Sequence, residues 1–155
     1  ISRGLVGSEM CIRDSVISVG GVNLKGSIWP GSSKGDNNGR LLPLPILMPR
    51  GDPNKKPEIV APAEGVPVLT MDGGWGIADG TSAATVYVTG ALCLLLEEKP
   101  SLMADQSTGG ADNVDAVKQW LKDSAVMENG QTTHDDYYGY GLLNVSGLIQ
   151  QATQA

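Results

Sequence analysis

The sequence predicts an α/β fold with a mostly parallel sheet, on three observations. Residues 16–22 form a short, largely apolar run of the kind that a strand buried on both faces shows. Residues 82–97 are apolar on every side, as in a helix passing through the centre of a domain. Residues 113–124 set Val114, Val117, Trp120 and Leu121 at helical spacing, with Asp112 and Asp115 near the start and Lys122 near the end. This is an amphipathic helix whose charges match the helix dipole.

The elements follow in order. After the strand at 16–22, Gly31-Ser32-Ser33-Lys34-Gly35 reads as a turn. Residues 35–57 read as an insertion loop. Pro43, Pro45 and Pro49 fall within nine residues and exclude a regular helix or a central strand. Residues 59–61 and 66–70 are brief strands, and Asp72-Gly73-Gly74-Trp75-Gly76 is a hairpin connection leading to Ile77 and Ala78. The apolar helix then runs until just before Pro100. A third helix, residues 146–151, has its start marked by Asn144.

Gly80-Thr81-Ser82-Ala83-Ala84 concentrates the chemistry. A serine at the start of a helix stands beside unpaired backbone N–H groups and partial positive charge, where a developing oxyanion finds donors. Gly80, Ala83 and Ala84 leave room for a substrate. The plainer alternative is that Thr81 or Ser82 only caps a buried helix.

Residues 80–90, GTSAATVYVTG, resemble the nucleophile segment of subtilisin-like serine proteases, G-T-S-(M/A)-A-x-P-(H/Y)-V-(A/S/T)-G. Three further segments match that family in its own order. Residues 16–22, VISVGGV, are similar to its V-I-x-V-G-A-V strand; residues 56–62, KPEIVAP, to K-P-D-(I/V)-x-A-P; residues 138–145, YGYGLLNV, to Y-G-x-G-x-(I/V/L)-(N/D)-(V/A). The resemblance covers residues 16–155, interrupted by the insertion loop, and implies the C-terminal portion of a three-layer α/β/α peptidase domain. It implies a serine endopeptidase in which Ser82 is the catalytic nucleophile acting through an acyl-enzyme. Gly80 and Thr81 would support the oxyanion turn, although Thr81 serves equally well as a shaper of that turn. Asp79 is read as a turn residue, and Val86 departs from the proline usual at its position.

In that family the catalytic residues follow the order Asp, His, Ser. The single histidine of the chain, His134, lies after Ser82 within Thr132-Thr133-His134-Asp135-Asp136. It reads as a solvated loop residue. The triad Asp and His are therefore expected upstream and missing here, so the piece is expected to be inactive alone and to need the upstream part of its own domain. Residues 1–15 show neither helical nor strand periodicity and read as a non-native, adapter-derived lead-in. Cys11 falls in it, which leaves Cys93, among Ala91, Leu92, Leu94 and Leu95, as a small buried hydrophobe.

Net charge is −6, from 17 acidic and 11 basic residues, which disfavours a nucleic-acid partner. The longest apolar run is a core-helix length, not a membrane span. A polypeptide is the expected substrate. No metal or cofactor site is assigned in these residues: His134, Asp135 and Asp136 are adjacent and converge poorly on one cation. By resemblance, calcium is possible in the whole protein and secretion is the expected destination. Two other functions compete: a catalytically inactive, subtilase-like binding or scaffold module, and a structural α/β domain in which Ser82 is only a cap.

Overall fold

The computed structural model describes residues 16–35, 38–41, 46–103, 111–128 and 130–154, with backbone alone for 38–41, 46–49 and 111. The lead-in at 1–15, with Cys11, lies outside the described residues.

Strands β1 (Val19–Val22), β2 (Asn38–Leu41), β3 (Ile46–Pro49), β4 (Ile59–Pro62), β5 (Val66–Leu69) and β6 (Trp75–Ala78) are followed by helices α1 (Thr81–Glu98), α2 (Ala111–Ser124) and α3 (Val145–Gln154). A 3-10 turn, Pro100–Leu102, follows α1. β1 and β4 pair in parallel, Val19 opposite Ile59 through Val22 opposite Pro62. The sheet continues through single bridges from Val60 to Leu142 and from Leu142 to Val126. The α/β class and the parallel pairing are as the sequence predicts.

Burial follows from composition. Ile59, Val60 and Ala61 of β4 are buried, and α1 lies against both β1 and β4. Ala84 and Val88, on the first half of α1, join Ile59, Ala61 and Ala63 in one core cluster. Ala91 and Leu95, on its second half, join Leu121 of α2 and Leu148 and Ala152 of α3 in another. Glycines permit the close approach: a Cβ on Gly21 would meet the Ala63 Cβ at 2.5 Å.

Each helix end is made by a particular residue. Lys99 N–H closes α1 onto the Leu95 carbonyl at 2.8 Å, and Pro100 prevents its continuation. The Lys99 ammonium reaches the Ala152 carbonyl at 2.8 Å, tying this corner to the end of α3. Asn144 caps α3, its Oδ1 accepting from Gly147 N–H at 3.0 Å.

Five expectations are corrected. The first strand begins at Val19, not Val16. The Val16 carbonyl is taken by the Lys56 ammonium at 2.7 Å, and Ser18 N–H donates to Glu58 Oε2 at 2.8 Å, so side chains occupy the polar groups a ladder would use. Within residues 35–57, β2 and β3 form an antiparallel ribbon, Asn38 opposite Pro49 through Leu41 opposite Ile46. Both of its strands are edges, where proline is tolerated; Pro43 and Pro45 lie outside the described residues. α1 is not buried all round. Ala84, Val88, Ala91 and Leu95 form its one buried stripe, while Val86, Tyr87 and Leu94 are exposed. Cys93 is likewise exposed, because it falls outside that stripe. α3 runs three residues further than predicted, to Gln154.

Candidate active site

The chain reaches Ser82 through a hairpin. From the end of β4 it passes through β5 and β6, paired Val66 with Ala78 through Leu69 with Trp75. It returns to the core at Gly80, whose N–H donates to the Ala63 carbonyl at 2.7 Å. Gly80 caps α1 with φ 146°, a backbone region that side chains strongly disfavour. The Cβ of an alanine there would have space, its nearest neighbour being Ser82 N at 3.8 Å, so the angle alone demands glycine.

This geometry decides against the simple cap. Gly80 is the N-cap, and Thr81 and Ser82 are the first two residues inside α1. Ala83 N–H is bonded to the Gly80 carbonyl at 3.0 Å, whereas the N–H groups of Thr81 and Ser82 meet no described acceptor. Ser82 is exposed at the helix mouth, beside these two backbone donors. A nucleophile with an adjoining oxyanion site needs that combination.

Thr81 is half-buried and faces inward: its Cγ2 lies 3.4 Å from where a Cβ on Gly21 would be. Its methyl thus sits beside the space that Gly21 leaves open on β1, and the Thr85 hydroxyl donates to the Thr81 carbonyl at 2.9 Å. Ser82 borders an apolar cavity of about 710 Å³ under the hairpin, walled by Val66, Val68, Val86, Tyr87 and Leu94. A second apolar groove, of about 410 Å³, lies on the other flank of α1 between β1 and α2.

His134 is corrected. It is half-buried, its Nε2 donating to the Pro57 carbonyl at 2.9 Å and its ring edge-on to Tyr140 with centroids 4.8 Å apart. Burial holds its pKa below the ordinary value, against the hydrogen bond to Pro57. No hydrogen bond joins it to Ser82. Its neighbourhood is structural: the Tyr140 hydroxyl donates to Asp52 Oδ1 at 2.8 Å, and Asp52 pairs with Lys55 at 3.2 Å and Lys122 at 3.5 Å. No group of His, Cys, Asp and Glu able to hold a metal occurs among the described residues.

Sequence reasoning missed a buried ionic hub behind the site. Glu58, immediately before β4, receives both Lys56 and Lys118, the latter at 3.1 Å, and all three side chains are buried. Lys118 also donates to Asn54 Oδ1 at 2.8 Å. Burial pulls the Lys56 pKa down to about 8, against the attraction of Glu58. The lysine pattern of α2 looks like an ordinary solvated face. Only the tertiary position of Glu58 turns Lys118 inward.

A family model described as "Subtilase family" (Peptidase S8) matches residues 7–141. Among curated proteins, none matches the sequence. Solved structures similar to the chain include the Clostridium perfringens CspB protease, at TM-score 0.63 and 22% identity over 90% of this chain and 27% of that one. The patellamide maturation protease PatA is similar at TM-score 0.59 and 25% identity, over 91% of this chain and 44% of that one. The prenylagaramide maturation protease PagA gives TM-score 0.59 and 24% identity, over 91% and 45%. The chain thus spans less than half the length of each of these structures. Among the described residues no helix is long and apolar enough to cross a membrane.

Proposed function

The chain belongs to the subtilase family, and from that premise we propose that it carries the nucleophile of a serine endopeptidase. Ser82 Oγ attacks the carbonyl carbon of a peptide bond while a histidine accepts its proton. The oxyanion that forms is held by the Ser82 backbone N–H at the helix mouth, with Thr81 shaping the turn. The histidine then gives its proton to the leaving amine, and water releases the acyl group from Ser82. The observation that carries this reading is the exposed Ser82 beside two unengaged N–H groups, one residue inside a glycine-capped helix.

The base and the triad aspartate belong, in this reading, to the part of the domain that precedes Val16. Three observations support that assignment. The family's chain order puts both before the serine, no histidine precedes Ser82, and His134 is engaged by Pro57 and Tyr140. The exposed apolar side chains Val86, Tyr87 and Leu94 then have a natural cover in that same upstream part, which must pack against them to bring a base to Ser82. The substrate is a polypeptide, and secretion follows from family habit.

Casein hydrolysis tests the proposal. The full-length protein is expected to cleave casein, and Ser82→Ala to lower turnover by about 10⁶, the magnitude that subtilisin itself shows on loss of its serine. The chain of residues 16–155 alone is expected to give little or no cleavage. Full activity in Ser82→Ala would sink the assignment; inactivity of the intact full-length enzyme would favour a binding or scaffold role.

A further inference from the structure

Between Gly65 and Asp79 the chain leaves the core as the β5–β6 hairpin and returns as the turn bearing Ser82. The last ladder pair at the hairpin base is Val66 with Ala78, so Gly65 and Asp79 stand next in register. At that position a side chain replaces the ladder: Gly65 N–H donates to Asp79 Oδ1 at 2.7 Å. One residue on, Gly80 N–H donates to the Ala63 carbonyl at 2.7 Å. Ala63 is itself buried, and its N–H donates to the Val22 carbonyl at 2.8 Å, so this second bond ends on the parallel sheet.

These two bonds hold the chain just before the nucleophile turn. The hairpin beyond them offers little support, since Leu69, Trp75 and Ile77 are all exposed. Gly80 itself, free of a side chain, adds no side-chain contact that would hold the turn. Without the Asp79 bond, only the buried Val66, the Val66–Ala78 ladder pair and the Gly80 main-chain contact would hold the hairpin base, one residue before α1.

We propose that Asp79 is a positioning residue for Ser82. Resting on the reading of Ser82 as nucleophile, it locks the hairpin base to the Gly65 turn and so fixes the entry of α1. The requirement is an acceptor oxygen at that spot, not a negative charge. Asparagine keeps such an oxygen, and alanine removes it.

The test is steady-state hydrolysis of a chromogenic peptide by the full-length protein and its Asp79→Ala, Asp79→Asn and Ser82→Ala variants. Folding of each variant is checked by circular dichroism and thermal melts, so that loss of fold does not pass for loss of turnover. Asp79→Ala is expected to lower kcat about tenfold with KM nearly unchanged, the pattern of a displaced nucleophile. Asp79→Asn is expected to restore kcat to within about twofold and to keep the limbs of the pH profile where they are. An unchanged kcat in Asp79→Ala overturns the proposal. So does a fall in Asp79→Asn, which settles the matter even where the alanine variant does not fold, and so does a shifted pH limb in Asp79→Asn. Retention of turnover in Ser82→Ala is a separate failure, that of the nucleophile assignment itself.

Discussion

Ser82 draws its role from where the backbone places it, and the residue before Thr81 sets that placement. Gly80 holds φ 146°. Gly80→Ala is expected to cost about 1–3 kcal/mol of stability or to shift the turn, read as a lower melting temperature together with slower acylation of Ser82. His134 has a different duty. Because burial lowers its pKa from 6.5, the unfolded chain binds a proton at higher pH than the folded one. The stability that His134 contributes is thus present above pH 6.5 and lost as pH falls from 6.5 through the lowered folded value. His134→Gln is expected to flatten that loss in a pH series of thermal melts while leaving fluorophosphonate labelling of Ser82 in the full-length protein intact. Disappearance of the label in that variant would make His134 part of the machinery after all. The role proposed for Ser82 came from four motif segments taken together, five residues alone being equally at home in a helix cap; the structural duty of His134 was not legible, since its partners Pro57 and Tyr140 come from separate segments.

At the scale of elements, hydrophobic pattern located the helices well and their exposure badly. α1 is apolar on every side, so no periodicity marks which stripe is buried. Its buried positions, Ala84, Val88, Ala91 and Leu95, emerge only when β1, β4, α2 and α3 are placed around it. Cys93 was misread for that reason. The β2–β3 ribbon escaped notice because prolines argue against a central strand and say little about an edge. The hub of Lys56, Glu58 and Lys118 binds the residues just before β1, the approach to β4 and the middle of α2 together. It predicts an unusual pH response. Between about 8 and 10.5 the folded Lys56 has lost its proton while the unfolded one retains it, so its contribution makes stability rise with pH across that window. Melts between pH 8 and about 9, below the ionisation of ordinary tyrosines, should show this rise, and Lys56→Met should remove it. A stability that falls equally in both proteins would show that Lys56 stays charged in the fold.

For the whole molecule, order and class were legible because four motif segments occur in sequence and each lies where the fold needs it: β1, the run into β4, the mouth of α1 and the strand-like bridge at Leu142. The apolar surface was not legible. Val86 is 69% exposed, Ile77 76% and Trp75 75%, on two elements flanking Ser82, and the grooves on either side of α1 are lined mainly by aliphatic side chains. Contiguous exposed apolar surface marks a face that normally meets something else. In the function proposed above, the upstream part of the same domain would be that cover as well as the source of the histidine and aspartate. Residues 16–155 alone should bind a hydrophobic dye strongly, and joining them to their upstream part should suppress that binding as activity appears. The most direct measurement is peptide-level mass spectrometry of the full-length protein after treatment with a fluorophosphonate. One adduct is expected, on the peptide containing Ser82, and denaturation before treatment should prevent it. An unmodified Ser82 in active, folded protein, or an adduct on a different serine, would contradict the assignment of Ser82.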